Sequence, residues 1–232
     1  MTKPKANVAV VLSGCGVYDG SEIHEAVSVL RHISQAGAHY ECFAPDIEAE
    51  SVNHATGKHA EKRRVLAEAA RIARGKIHPL AQLKANDYDA VFFPGGFGAA
   101  KNLCNFAQMG AECQVEPEVE RTIKEFNQAG KPIGACCIAP VLLAKVLGKA
   151  SGGPGCTLTI GDDENTAGAI KAMGAMHVDT PVTRAFVDDG ARVVTSPAYM
   201  YGEAKIHEVD QGIGEMVQQT LALASSHPVG AH

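Results

Sequence analysis

Apolar strand segments that run into tight turns and then into helical segments limit the folds open to this 232-residue chain. Val8 to Leu12 is a continuous β-branched and apolar run, the pattern of a strand buried on both faces. After the turn Ser13 to Gly16, apolar residues recur at helical spacing from a predicted N-cap at Ser21 to a stop at Gly37. Strand and helix patterns keep alternating to the end of the chain. They predict an α/β fold in one domain, with a doubly wound, mostly parallel sheet and helices on both faces.

The other predicted elements continue this alternation. They are strands at Tyr40 to Ala44, Tyr88 to Phe93 and Leu158 to Ile160, helices at Val65 to Ile72, Glu118 to Gln128, Glu164 to Met173 and Ile206 to Leu223, and a hairpin over Phe186 to Val194. The polar stretch Glu48 to Arg64 is predicted to be a solvated loop, and the tail 226–232 to be frayed. Ligands of such sheets bind at the carboxyl ends of the strands, where Ser13 to Gly16, Pro94 to Gly98 and Cys137 are expected to meet.

Charge and composition exclude several functions. The formal net charge of −5 argues against non-specific nucleic-acid binding. The longest apolar runs are strand-sized, well short of the ~20 residues that a bilayer span needs. The sequence has no metal-ligand spacing, Walker sequence or dinucleotide fingerprint. We therefore expect no nucleic acid, membrane, metal or cofactor.

The cysteines indicate a compartment. There are seven, an odd number without a Cys-x-x-Cys pair, which fits a reducing environment better than a disulfide framework. Met1 to Lys5 lead directly into the first strand, without an apolar signal segment or an Arg-rich transit peptide. These features predict a cytoplasmic protein.

The segment Gly134 to Pro140 has the pattern of a nucleophile elbow, a strained turn between a strand and a helix. Such a turn needs small residues two positions before and after the nucleophile. Ala135 and Ala139 stand there around Cys137, whereas Cys136 would have Ile138 on one side. The pattern favours Cys137 as the nucleophile, with a pKa lowered by the helix N-terminus, and Cys136 as its buried neighbour. The alternative is a pair of small core residues.

Further groups are candidates for the same site. Gly95 and Gly96 follow a buried strand and allow a backbone N–H to approach an oxyanion, which the Ile138 N–H would also bind. Glu22 and Glu25 lie one helical turn apart, so either could hold a proton near Cys137 if its pKa were raised. Each is also consistent with an acid that simply favours a helix N-terminus.

The histidines give a weaker indication of a catalytic base. Ile138, not a histidine, follows Cys137. His177, in the sequence His-Val-Asp179, and His24 are candidate bases, although each is more typical of a surface or hydrogen-bonded histidine. Cys15 is a candidate for the wall of the same pocket.

Several blocks together resemble the superfamily of the Parkinson-associated deglycase, the PfpI-type proteases and the class I glutamine amidotransferases. The sequence is most similar to the ElbB group, isoprenoid biosynthesis proteins with an amidotransferase-like domain. The resemblance is carried by Ser13 to Glu25, Phe43 to Asp46, Pro94 to Leu103, Cys137 to Pro140 and Thr195 to Met200. It implies a flavodoxin-like homodimer in which residues 1–232 form one amidotransferase-like, PfpI-type domain.

The resemblance also implies chemistry. Cys137 would be the nucleophile, paired with Glu25 or, failing that, Glu22. Similar proteins are described as glutathione-independent glyoxalases that convert glyoxal or methylglyoxal to glycolate or lactate through a cysteine hemithioacetal. Gly96 and Ile138 would stabilise the oxyanion. The missing histidine after Cys137 departs from the proteases and the stronger glyoxalases, and predicts a slow enzyme without peptidase activity.

Two alternatives remain open. One is a redox-sensing or binding protein in which Cys137 is oxidised. The other is a glutaminase that uses Cys137 with His177 and Asp179.

Overall fold

The computed structural model describes residues 6–226, so the predicted frayed tail lies outside the described residues from position 227 onward. The strands are β1 (Asn7–Val11), β2 (His39–Ala44), β3 (Glu48–Asn53), β4 (Lys58–Arg64), β5 (Ile77–Pro79), β6 (Ala90–Phe93), β7 (Ile133–Cys136), β8 (Thr157–Leu158), β9 (Met176–His177), β10 (Phe186–Asp188) and β11 (Val193–Ser196). The helices are α1 (Ile23–Gln35), α2 (Val65–Ile72), α3 (Phe97–Lys101), α4 (Phe106–Met109), α5 (Pro117–Gln128), α6 (Pro140–Leu147), α7 (Glu164–Ala172) and α8 (Ile206–Ser225). Short 3₁₀ turns link several of them.

A seven-stranded sheet in the order β10-β11-β7-β6-β1-β2-β5 forms the centre of the molecule. Neighbouring strands are parallel except for β10 and β11. In β1, Val8 and Val10 pack into one apolar cluster while Ala9 and Val11 pack into a second. Successive side chains of a strand point to opposite faces, so the two clusters lie on the two faces of the sheet. The flavodoxin-like, doubly wound α/β fold is confirmed.

The predicted elements are present with shifts of a few residues, and several details differ. Helix α1 is capped by Glu22, whose side chain accepts the Glu25 N–H, and not by Ser21. The stretch 48–64 is not a loop but the antiparallel hairpin β3–β4. Only one residue of that hairpin, Ser51, is buried, so an apolar alternation could not reveal it. The short strands β5 and β9 and the short helices α3 and α4 were also not predicted.

The carboxyl ends of β1, β6 and β7 lie side by side in the middle of the sheet. The loop after β1 and the turn after β6 are tied by backbone hydrogen bonds, from the Phe97 N–H to the Val17 carbonyl (2.8 Å) and from the Gly98 N–H to the Gly20 carbonyl (2.9 Å). The hairpin supports the same loop, because the Asp19 carboxylate accepts the Val52 N–H at 2.7 Å. None of the described helices is long and apolar enough to cross a membrane.

The contact between Gly98 and Gly20 generates a stability prediction. A Cβ at Gly98 would lie 2.5 Å from the Gly20 Cα, a backbone atom that cannot move aside, whereas a Cβ at Gly168 of α7 would meet nothing within 4 Å. We expect Gly98→Ala to destabilise the protein by roughly 1–3 kcal/mol. The matched Gly168→Ala is expected to stabilise by up to ~1 kcal/mol, the gain in helix propensity. Urea unfolding measures both, and equal effects of the two substitutions would contradict the role of the contact.

Candidate active site

Cys137 lies directly after β7 in the left-handed conformation, with φ of +58°. A non-glycine residue there is strained, and the following residues turn at once into α6, which begins at Pro140. The strain is held by the neighbouring strand, because the Cys137 N–H donates to the Ser196 carbonyl at 2.9 Å. The predicted strand-to-helix elbow is therefore present, with Cys137 at its apex. The Cys137 side chain is only 8% exposed.

The Glu25 side chain is fully buried beside the elbow. Its Oε1 accepts the Tyr199 N–H at 3.1 Å, and its Oε2 lies 4.0 Å from the Sγ of Cys136. It also shares a hydrogen bond with the Cys137 thiol. Burial, followed by the nearby charge of Glu22, raises the pKa of Glu25 from 4.5 to about 8. At neutral pH this carboxyl group is therefore mostly protonated.

The Gly95–Gly96 turn packs against the side chains of both Cys137 and Glu25. A Cβ at Gly95 would lie 2.4 Å from the Cys137 Cβ and 2.6 Å from the Glu25 Oε2, so only glycine fits between them. Gly96 has φ of +95°, a conformation that favours glycine. The backbone N–H groups of Gly96 and Ile138 are both directed at the Cys137 sulfur. These are the two donors that the sequence predicted for an oxyanion hole.

The protonation of Cys137 corrects one expectation. We expected the helix N-terminus to lower its pKa, but burial, and then the charge of Glu25, raise the pKa of the thiol well above its usual range. The Gly96 and Ile138 N–H groups act in the opposite direction without outweighing burial. The resting site therefore holds a thiol beside a carboxylic acid, and the sulfur becomes a nucleophile only when it gives up its proton.

The other residues predicted for this site, Cys136, Glu22 and Cys15, do not contact the Cys137 sulfur in the way that Glu25 does. Cys136 is completely buried on the strand beneath the elbow. The Oε2 of Glu22 accepts the Glu25 N–H at 2.7 Å, so Glu22 positions α1 and leaves the contact with Cys137 to Glu25. The charges that act on the Cys15 thiol are those of Glu68, Arg71 and Asp19, and Glu22 and Glu25 are not among them.

His177 is a buried structural histidine. Its Nε2 accepts the Ile160 N–H at 3.3 Å, and its Nδ1 lies 3.6 Å from the Asp179 carboxylate. Burial lowers the pKa of His177. Because the Nε2 lone pair is occupied, this histidine is poorly placed to accept a proton from Cys137.

Sequence reasoning missed the turn after β11. Ala198 has φ of +46°, and this strained residue directs the Tyr199 N–H at Glu25. The Tyr199 hydroxyl lies 3.1 Å from Nδ1 of His24, a half-exposed side chain at the edge of the site. The block Thr195 to Met200 contributed to the family resemblance, but no role followed from it. Its contact with Glu25 is made by a backbone group, which residue type cannot reveal.

The structure therefore combines a doubly wound α/β domain with a cysteine elbow, a buried glutamate and two converging N–H groups. The DJ-1/PfpI family profile matches residues 9–204, and the chain belongs to that family. It is 52% identical to the rat protein "ES1 protein homolog, mitochondrial" over 233 residues, 95% of this chain and 85% of that protein. It is also 52% identical to the human "Glutamine amidotransferase-like class 1 domain-containing protein 3, mitochondrial", over 95% of this chain and 84% of the human protein.

A solved structure supports the same family. The isoprenoid biosynthesis protein with amidotransferase-like domain from Ehrlichia chaffeensis is 36% identical, with a TM-score of 0.87 over 94% of this chain and 99% of that one. The names of the curated relatives overturn the expected cytoplasmic location, because the rat, human and zebrafish proteins are all named as mitochondrial. Cysteine usage indicates a reducing environment but does not identify the compartment.

The buried Glu25 generates a stability prediction. Between pH 4.5 and about 8 the folded protein holds a proton on Glu25 that the unfolded chain has released, so this group's contribution to stability falls as pH rises through that window. The slope is about 1.4 kcal/mol per pH unit. Glu25→Gln lacks this ionisation, so we expect its free energy of unfolding to exceed that of the wild type by a margin that grows with pH. Urea titrations at pH 5 and pH 8 measure the margin; the same margin at both pH values would contradict the buried, protonated carboxyl group.

Proposed function

We propose that this chain is a glutathione-independent glyoxalase that converts glyoxal to glycolate and methylglyoxal to lactate. One observation carries the proposal: a buried carboxyl group with its pKa raised to about 8 hydrogen-bonds the sulfur of a strained cysteine elbow. A group that both accepts and donates protons near neutral pH is what an isomerisation of a dicarbonyl requires. Two N–H groups aimed at the same sulfur support binding of an oxyanion there.

The first step is addition. The Cys137 sulfur attacks the aldehyde carbon, and the thiol proton is transferred to the carbonyl oxygen, giving a hemithioacetal. Glu25 relays this proton, a role that its hydrogen bond with the thiol supports. The Gly96 and Ile138 N–H groups stabilise the charge that develops on the oxygen.

The second step moves a hydrogen between two carbons. As a carboxylate, Glu25 removes the proton from the carbon bonded to sulfur, and the resulting enediol takes a proton on the neighbouring carbon. The product is a thioester of an α-hydroxy acid. Water then cleaves the carbon–sulfur bond, releases the acid and restores the thiol. One carbon is oxidised as its neighbour is reduced, so the sequence balances without an external electron acceptor.

The geometry gives less support to a glutaminase. That alternative needs His177 as the base for Cys137, and the His177 Nε2 is already occupied by the Ile160 N–H. Peptidase activity is disfavoured by Ile138, which stands where a histidine would follow the nucleophile.

We infer that the chain belongs to the ElbB group within its family, which the likeness to the Ehrlichia protein supports at 36% identity. The names of the curated relatives support a mitochondrial location. Neither inference bears on the chemistry at Cys137.

We also infer a homodimer. The exposed apolar residues Ile23 and Val27 of α1 and Ile206 of α8 surround a groove of about 470 Å³. The charged groups beside them, Arg31 and Asp210, pair with each other within one chain. A second copy of the chain could therefore cover this surface with little unpaired charge buried.

The glyoxalase activity is tested by lactate formation from methylglyoxal. We expect Cys137→Ala to reduce the rate to the uncatalysed background and Glu25→Gln to reduce it roughly 10²–10⁴-fold. Cys136→Ala is the matched control, and we expect it to retain activity because Cys136 lies beneath the elbow and not at its apex. A lactate rate that survives Cys137→Ala would refute the proposal. A wild type without turnover, in which peroxide selectively oxidises Cys137, would support the redox alternative.

The dimer is tested by light scattering coupled to gel filtration. Val27 is 48% exposed, so Val27→Asp leaves the folded chain intact but places charge in the apolar surface. We expect it to convert a dimer to a monomer. Met176→Asp, which changes an exposed apolar residue of β9 outside that surface, should leave the dimer unchanged. A monomeric wild type, or a dimeric Val27→Asp, would rule out this interface.

A further inference from the structure

A second pair of thiols lies away from the elbow, in the segment between α3 and α5. Cys104 forms an antiparallel bridge with Val115, and the Glu116 N–H donates to the Leu103 carbonyl at 2.8 Å. Cys113 stands two residues before Val115, and so on the same side of this short ribbon as Cys104. The two thiols share a hydrogen bond. They are therefore neighbours in the fold, although nine positions separate them in the sequence.

The two sulfurs differ in their surroundings. The Cys104 Sγ is enclosed by backbone, with the Ala99 carbonyl at 3.3 Å and the Phe106 N–H at 3.5 Å. Cys113 borders a cavity of about 300 Å³ that is also lined by Lys145 and Lys124. The hydrogen bond from Cys104, and the charge of Lys145, lower the pKa of Cys113 to about 7 against the opposing effect of burial. The same hydrogen bond, together with burial, raises the pKa of Cys104.

We propose that Cys104 and Cys113 form a reversible disulfide when the protein meets a hydroperoxide, with Cys113 as the attacking thiol and Cys104 as the resolving thiol. The roles follow from the geometry. Cys113 is only 1% exposed, but it lines the cavity of about 300 Å³, which gives a small oxidant a route to it, and the neighbouring charge of Lys145 favours a thiolate. Cys104 lies on the facing segment of the ribbon, opposite Val115, and its thiol interacts with that of Cys113.

The steps balance with a hydroperoxide as the named oxidant. The Cys113 thiolate attacks one peroxide oxygen and breaks the O–O bond. The sulfur is oxidised to a sulfenic acid, and the departing oxygen is reduced and leaves as water after protonation. The Cys104 sulfur then attacks the sulfenic sulfur, and its proton leaves with the hydroxyl group as a second water. A dithiol reductant returns both thiols by exchange.

The test treats the full-length protein with hydrogen peroxide at neutral pH, then denatures and alkylates it. Lys101 and Arg121 are consecutive trypsin sites, so both cysteines fall in one peptide, 102–121. The disulfide is detected as that peptide without alkylation and two hydrogens lighter. Further cleavage after Glu112 separates the cysteines into two fragments that stay joined until dithiothreitol is added.

Two internal controls are built into the chain. Cys42 and Cys156 are buried thiols whose pKa burial raises to about 12, so they should remain reduced and be alkylated in full. We expect the disulfide in the wild type and also in Cys137→Ala, because the pair does not use the elbow. This second variant separates the inference from the proposed glyoxalase activity.

Single substitutions test the two roles. Cys104→Ser should leave a Cys113 sulfenic acid that dimedone traps, whereas Cys113→Ser should leave Cys104 reduced. The inference is overturned if Cys104 and Cys113 are alkylated as completely as Cys42 and Cys156 after peroxide treatment. It is also overturned if the disulfide forms only after the protein has been unfolded in urea.

Discussion

The candidate site depends on one close contact, in which the Gly95–Gly96 turn presses the Glu25 carboxyl group against the Cys137 elbow. A single added Cβ at Gly95 would collide with both side chains, so the contact exists only because that position is glycine. The contact excludes water, and exclusion of water is what raises the pKa of Glu25 to about 8. The same turn supplies the Gly96 N–H to the sulfur. Packing, protonation and hydrogen bonding at the site therefore have a common origin.

The site contains two strained backbone turns, and the central sheet holds both of them in place. Cys137 and Ala198 both have left-handed backbone conformations at the ends of the neighbouring strands β7 and β11. The Cys137 N–H donates to Ser196, two residues before Ala198, so one strained turn is tied to the strand that leads into the other. Strained residues and a buried ionisable group both cost stability. Their coexistence at the carboxyl edge of a confirmed DJ-1/PfpI fold is consistent with a site kept for chemistry.

The two thiol sites illustrate how burial and neighbours determine reactivity. Cys137 is enclosed beside an acid, so the pKa of its thiol is raised and its chemistry must pass through proton transfer to that acid. Cys113 has a thiol donor and a lysine as neighbours, and the pKa of its thiol is lowered to about 7. The elbow motif points to Cys137 from the sequence alone. Nothing in the spacing of Cys104 and Cys113 distinguishes them from ordinary core cysteines.

The sequence by itself determined the alternating α/β fold, the elbow at Cys137 and the glycine turn at Gly95, because each depends on local patterns of apolar, small and flexible residues. It could not choose between Glu22 and Glu25 from spacing, since the two stand only three residues apart at the start of α1. Only the tertiary structure decided that Glu22 caps the helix and Glu25 meets the sulfur. The raised pKa of Cys137 and the contact of the Tyr199 N–H with Glu25 were likewise decided by tertiary structure. Burial, backbone donors and long-range pairing arise only when distant segments pack together.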